Sequence, residues 1–150
     1  MRLLIQKVKE AKVVVSGRTV GKIGRGLLVF QGVEDSDSTE DINWLVNKVI
    51  NLRIFNDSKD VMNLSVKEMD GEILVVSQFT LMASIKKGNR PSYVKASDQK
   101  YAKLMYEKFI IELNFSLEKS IESGIFKANM EVDLINDGPV TIWMDSKNKE

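Results

Sequence analysis

The sequence predicts an α+β fold in which largely antiparallel, barrel-like sheets are covered by two amphipathic helices within one domain. Three observations lead there. Short runs rich in valine and isoleucine, punctuated by glycine and serine turns, fill residues 2–33 and return at 72–78 and 130–144. Two other stretches, opening at Ser38 and Asp98, repeat their apolar residues at helical spacing. The order is therefore strands, helix, strands, helix, strands, and no repeat, low-complexity segment or linker interrupts it. A chain of 150 residues, 43% hydrophobic and 29% charged, is long enough for one core without disulfides or a structural metal, so residues 1–150 form one unit.

Residues 2–15 alternate and form one bent strand or a tight pair. Leu4, Val8, Val13 and Val15 are the expected inward positions, with a break near Lys9-Glu10-Ala11. Ser16-Gly17-Arg18 is a turn, Thr19 to Ile23 a short strand, Gly24-Arg25-Gly26 a second turn and Leu27 to Val33 a buried strand, which together predict an antiparallel meander. Ser38 followed by Asp41 resembles a capping box, and Ile42, Leu45, Val46, Val49 and Ile50 form the buried face of the helix it opens. Asn56 to Asp60 favours local side-chain turns; its acids lack the glycine and distal glutamate of a calcium loop. The continuous run Ile73-Leu74-Val75-Val76 suits a central strand covered on both faces. From Asp98 to about Lys119, Tyr101, Leu104, Met105, Phe109 and Leu113 mark the second helix as a core-packing element. Residues 130–134 and 140–144 alternate as two strands around a Gly-Pro corner, and 145–150 is a polar tail expected to fray.

Composition narrows the chemistry. There is no histidine and no cysteine, so a Ser-His-Asp triad, a Cys-His pair, a thiolate nucleophile and the usual zinc site are all excluded. Catalysis must use hydroxyls, carboxylates, lysines, backbone amides or groups on the substrate, and no metal or cofactor is expected. A net charge of +1 gives no global basic field pointing to nucleic acid, although a local patch remains compatible with it. No apolar run approaches the roughly 18 residues of a membrane span, and Gln6, Lys7, Lys9 and Glu10 interrupt the apolar start. The expected location is the cytoplasm.

Three polar segments stand apart from the core stripes. Ser77-Gln78-Phe79-Thr80 ends a buried strand in polar side chains, which either cap the chain or face a ligand. Lys86-Lys87-Gly88-Asn89-Arg90-Pro91-Ser92-Tyr93 is the densest basic stretch, either a solvated face or a contact for phosphate and sugar oxygens. Asn136-Asp137-Gly138-Pro139-Val140-Thr141 is first of all a turn between strands.

Together and in this order, these segments resemble the D-aminoacyl-tRNA deacylase family of the bacterial and eukaryotic type. The resemblance spans the chain through Ile5-Gln6, Gly21-Lys22-Ile23-Gly24, Gly26 to Val29, Arg53-Ile54-Phe55, Met62-Asn63-Leu64, Gly88, Arg90-Pro91-Ser92 and Met130. It implies a homodimeric esterase that acts on the aminoacylated 3′ end of tRNA, with no DNA and no membrane partner. Ser77, Gln78, Phe79 and Thr80 would serve catalysis, Gly138, Pro139, Phe79, Met130 and Asn136 would bind substrate, and Lys86, Lys87 and Arg90 would contact the RNA. Gly138-Pro139 is expected to be cis and to enter the partner's site, rejecting L-amino acids while admitting glycine. One departure is Lys7, where the resemblance leads one to expect an arginine that helps to hold the Gly-Pro motif; lysine lacks the planar fork able to grip two carbonyls. A non-catalytic RNA-binding dimer is the alternative reading.

Overall fold

The structure, a computed structural model, describes residues 1–149. Its organising element is β1 (Arg2–Val15), which bonds three other strands. β8 (Glu131–Asp145) lies antiparallel along β1 from Arg2 to Val14, and the opposite edge of β1 is shared. β3 (Gly26–Gly32) pairs with Arg2 to Val8, and β2 (Arg18–Ile23) with Ala11 to Val15. Ser16 and Gly17 both have positive φ, 51° and 76°, the backbone that a two-residue hairpin between twisted strands requires. The expected meander is therefore corrected: β2 and β3 do not pair with each other but follow one another along β1.

The inward face of β1 differs from simple alternation. Leu3 and Ile5 join the cluster beneath the helices, while Val8, Ala11 and Val13 join a second cluster on the other side of the sheet. Register shifts against β8 between Gln6 and Val8 and between Val8 and Glu10 change the phase, because a one-residue slip moves every following side chain to the other face. Val8 and Val13 are buried as expected, whereas Leu4 and Val15 are only half-buried.

β6 (Glu72–Ser77) runs parallel to β3 on one side and to β7 (Glu122–Ser123) on the other. The sheet is thus mixed, with a parallel β3–β6–β7 portion in the antiparallel frame. Ile73 and Val75 enter the helix-side cluster, and Leu74 and Val76 enter the second, which is why this run carries no polar alternation. The Lys22 N–H donates to the Glu122 carboxylate at 3.3 Å, bringing β2 to β7 and nearly closing a barrel. A small second sheet pairs β4 (Phe55–Asn56) with β5 (Met62–Leu64). The loop between them folds on Asp57, whose carboxylate accepts from the N–H groups of Lys59 and Val61 at 2.8 and 3.2 Å. Among the described residues, no group of acids is arranged to hold a metal.

α1 (Thr39–Asn51) begins at the Ser38–Asp41 capping box and buries the five apolar residues that its spacing identifies. α2 (Gln99–Leu117) is capped by Asp98, which accepts from the Lys100 and Tyr101 N–H groups at 2.8 and 3.3 Å. Its buried residues are Met105, Tyr106, Phe109, Leu113 and Leu117; Leu104 instead lies with Ile111 and Phe115 among the exposed positions. Apolar residues occur all round this helix, so spacing alone selects the wrong neighbour of Met105.

The two expected C-terminal strands are one, β8, with an extruded bulge. Gln6 pairs with Thr141 and Val8 with Asn136, so Lys7 of β1 stands opposite four residues, 137–140. The Asn136 amide staples the base of the bulge by donating to the carbonyls of Lys7 (3.0 Å) and Val140 (3.1 Å). Gly138 has φ 113°, a conformation unfavourable to residues with a Cβ, and it completes the reversal. The described residues contain no cis peptide, so the Gly138–Pro139 bond is trans and the expected cis isomer is corrected. Lys7 is buried beneath the bulge, its Nζ 3.8 Å from the Asp137 carboxylate and 5.8 Å from the centre of the Phe55 ring.

The expected fraying of the tail is also corrected for residues 145–149; Glu150 lies outside the described residues. The Ser146 N–H donates to the Met1 carbonyl at 2.9 Å, and Lys147 Nζ donates to the Asp41 carboxylate and to the Ser36 carbonyl, both at 2.8 Å. Lys149 lies 5.0 Å over the Trp44 ring. The tail thus ties β8 to the start of α1. Burial works to raise the Asp41 carboxyl, but hydrogen bonds from Lys147, Ser146 and Ser38 outweigh it and hold the group well below its ordinary value.

Two outcomes follow for stability. Asp41→Ala removes both the capping box and the Lys147 contact and is expected to cost about 1–2 kcal/mol in urea unfolding near neutral pH. Because the folded-state value is depressed, this contribution is present above the unfolded value of about 3.9 and is lost as pH falls through the folded one. The deficit of the variant should therefore shrink below about pH 4; a deficit that grows there would contradict the assignment. Lys7→Met leaves the Asp137 carboxylate without its cation and is expected to cost about 1–3 kcal/mol. Adding Asp137→Asn should recover most of that loss by the same measurement.

Candidate active site

The carboxyl ends of the parallel strands β3 and β6 open into a cavity of about 570 Å³, closed on one side by the start of α2 and on another by the 126–130 segment. Gln31 and Ser77, which pair across the two strands, lie on its wall together with Gln78, Phe79 and Met130. The Gln78 N–H donates to the Gln31 carbonyl at 2.7 Å, the last ladder bond before the chain leaves the sheet. A single 3-10 turn, Phe79–Met82, follows at once. It lies close on β3 because position 32 is glycine: a Cβ there would come within 3.0 Å of the Leu81 side chain and 3.1 Å of the Gln78 carbonyl.

This turn sets the polar geometry. The Leu81 N–H bonds back to the Gln78 carbonyl at 3.2 Å and the Ala83 N–H to that of Thr80 at 3.1 Å, so the N–H groups of Phe79 and Thr80 open the turn with no earlier carbonyl inside it to accept them. The Gln78 side-chain amide donates to Thr80 Oγ at 2.5 Å. In that contact the Thr80 oxygen accepts. With no histidine in the chain, the hydroxyl has no ordinary base beside it. Phe79 is 59% exposed and meets the Tyr93 ring edge-to-face at 5.0 Å, forming an aromatic lip on the cavity.

The cavity floor rests on Tyr106. Its hydroxyl donates to the Val75 carbonyl at 2.9 Å and approaches the Gly124 carbonyl at 3.4 Å, which ties α2 to β6 and to the segment after β7. Burial, opposed by hydrogen bonds at Ser123 and Gly124, pushes this phenol up to about 12, so it stays neutral.

Of the residues singled out by sequence, Ser77, Gln78, Phe79 and Met130 come together on the cavity, and Thr80 is held to Gln78 at its edge. The remaining ones lie elsewhere. Asn136 staples the bulge, and Gly138 and Pro139 are exposed on it rather than lining the cavity of their own chain. Lys86, Lys87 and Arg90 are exposed in a loop whose ends are pinned by paired bonds between Ser84 and Ser92, at 2.8 and 2.9 Å. Tyr93, just beyond that pin, connects the loop to the cavity. Sequence reasoning missed Gln31, Ser97, Tyr106 and Lys127 on the cavity wall. Only Gln31 carried a signal, as a polar residue inside the buried run 27–33.

The chain is similar to known proteins over almost its whole length. The family model described as D-Tyr-tRNA(Tyr) deacylase matches residues 4–145. A D-aminoacyl-tRNA deacylase of Flavobacterium psychrophilum is 58% identical over the full length of both chains, and one of Chromobacterium violaceum is 52% identical over the same extent. Among solved structures, the c-Myc DNA Unwinding Element Binding Protein superposes with a TM-score of 0.91 at 37% identity, covering 97% of this chain and 98% of that one. A probable eukaryotic D-amino acid tRNA deacylase shares the fold, with a TM-score of 0.82 at 18% identity over 95% and 97% of the two chains. The chain belongs to the D-Tyr-tRNA(Tyr) deacylase family, whose members are hydrolases of D-aminoacyl-tRNA.

Proposed function

We propose that the cavity hydrolyses the ester between a D-amino acid, or glycine, and the terminal ribose of tRNA, and that it does so without a protein nucleophile. The observation that carries this reading is the 3-10 turn at the strand end, which presents two adjacent N–H groups beside the cavity and turns the Thr80 oxygen toward Gln78. Water attacks the ester carbonyl, the oxygen of the tetrahedral intermediate accepts from the Phe79 and Thr80 N–H groups, and the C–O bond to the ribose breaks. The proton lost by the attacking water passes through the vicinal 2′-hydroxyl, which every such substrate brings with it, to the leaving ribose oxygen. Ser77 and Gln78 orient water and ribose, Phe79 lies against the terminal adenine, and Lys86, Lys87 and Arg90 contact phosphates upstream.

Chirality is assigned to a homodimer. β8 bonds β1 along one edge and no described strand along the other, and its outward residues Ile135 and Trp143 are half-exposed. The second core cluster also leaves Phe30, Met130, Val132 and Leu134 only partly covered. A partner subunit would cover them and bring its Gly138–Pro139 bulge over the cavity. The main chain of that bulge would occupy the space an L side chain needs, and exclusion of this kind discriminates by clash rather than attraction. Glycine offers nothing to exclude. The alternative is a non-catalytic RNA-binding dimer; the similar protein named for binding a DNA element points to a different nucleic acid.

Purified protein is expected to hydrolyse D-tyrosyl-tRNA and glycyl-tRNA and to spare L-tyrosyl-tRNA. Equal rates on the two tyrosyl isomers would overturn the chiral reading, and binding without hydrolysis would favour the alternative. Removing the terminal 2′-hydroxyl, with the amino acid kept on the 3′-oxygen, is expected to slow turnover by about 10²- to 10⁴-fold. Thr80→Ser should have a much smaller effect. A deoxy substrate that reacts normally, together with an inactive Thr80→Ala, would make Thr80 the nucleophile.

A further inference from the structure

Lys127 is the one charged side chain among the described residues that line the cavity; the rest of the wall is neutral. Its backbone is unusual for lysine. The Ala128 N–H bonds the Ile125 carbonyl at 3.1 Å, closing a turn in which Lys127 is the third residue with φ 68°, a position that favours glycine or asparagine. Ser16, Asp60, Asp70 and Glu118 also have positive φ, but none of them lines the cavity. Lys127 is exposed, and no ion pair or hydrogen bond engages its ammonium among the described residues. A costly backbone state that holds an unpaired cation at the rim of a neutral cavity is the kind of local conflict that functional sites tolerate.

We infer that Lys127 binds the phosphate on the 5′ side of the terminal adenosine, and so distinguishes an RNA end from a free aminoacyl nucleoside. The inference rests on the deacylase reading above. A neutral, partly aromatic pocket with a single cation at its rim is complementary to a nucleoside whose charge lies at one end. Lys86, Lys87 and Arg90 belong to a different loop and do not line the cavity, so they are left to other phosphates.

The test compares D-tyrosyl-tRNA with the D-tyrosyl ester of adenosine, which has no phosphate, for the wild type, Lys127→Gly and Lys127→Arg. Glycine suits the turn, so Lys127→Gly is expected to fold, with its circular dichroism and melting temperature as the check. The KM ratio of tRNA to nucleoside ester should rise about 5-fold in Lys127→Gly, equivalent to roughly 1 kcal/mol, with kcat on tRNA retained. The slope of log KM against log salt should fall by about 0.7, the value for one phosphate on a single strand. Lys127→Arg should keep the wild-type ratio. A ratio that does not move in Lys127→Gly overturns the inference, whether both substrates suffer equally or neither does. A wild type silent on both substrates overturns the deacylase reading itself, and the inference falls with it.

Discussion

A β-strand has two edges, and β1 serves three partners with them. β8 takes one edge for nearly its whole length, and β3 and β2 divide the other. Dividing an edge forces the strand to bend, and the bend is absorbed by register shifts around Val8. Everything downstream follows from this. The first half of β1 faces the helices, the second half faces the other cluster, β3 is delivered beside β6, and the carboxyl ends of these two strands meet where the cavity opens. On the β8 side, the same mismatch extrudes residues 137–140 rather than letting them pair.

Much of this was legible in the sequence, and the failures have specific causes. α1 was legible in full because its cap and its stripe agree, and β6 because four apolar residues without alternation admit few other readings. The face of β1 was misread because periodicity presumes one register, whereas the bulge reverses the phase partway along. The meander was misread because turn signals say that a chain reverses, not which strand it rejoins. The tail looked like a frayed end from its composition; its lysines are instead matched to Asp41 and Trp44, more than 90 residues away in sequence.

The site divides along the same line. Ser77 to Thr80 could be found because polar residues at the end of an apolar strand contradict the local pattern. Tyr106 and Ser97 could not be found that way, since a tyrosine on a buried helical stripe and a serine before a helix cap are what an ordinary core contains. Lys127 is hidden for another reason: nothing in a sequence marks a lysine as left-handed.

The pairing of β1 with β8 also fixes when the protein can become itself. Arg2 is synthesised 143 residues before its partner Asp145, so the longest strand pair joins segments far apart in sequence. Loop closure over that distance comes late and slowly compared with the neighbouring hairpin. Until β8 has been made, the edge of β1 that it takes is bare and able to bond any extended segment it meets. The bulge cannot exist before that edge is filled, because it is defined by pairing on both sides. A nascent chain therefore carries an adhesive edge until β8 fills it, and the bulge takes shape only with that pairing.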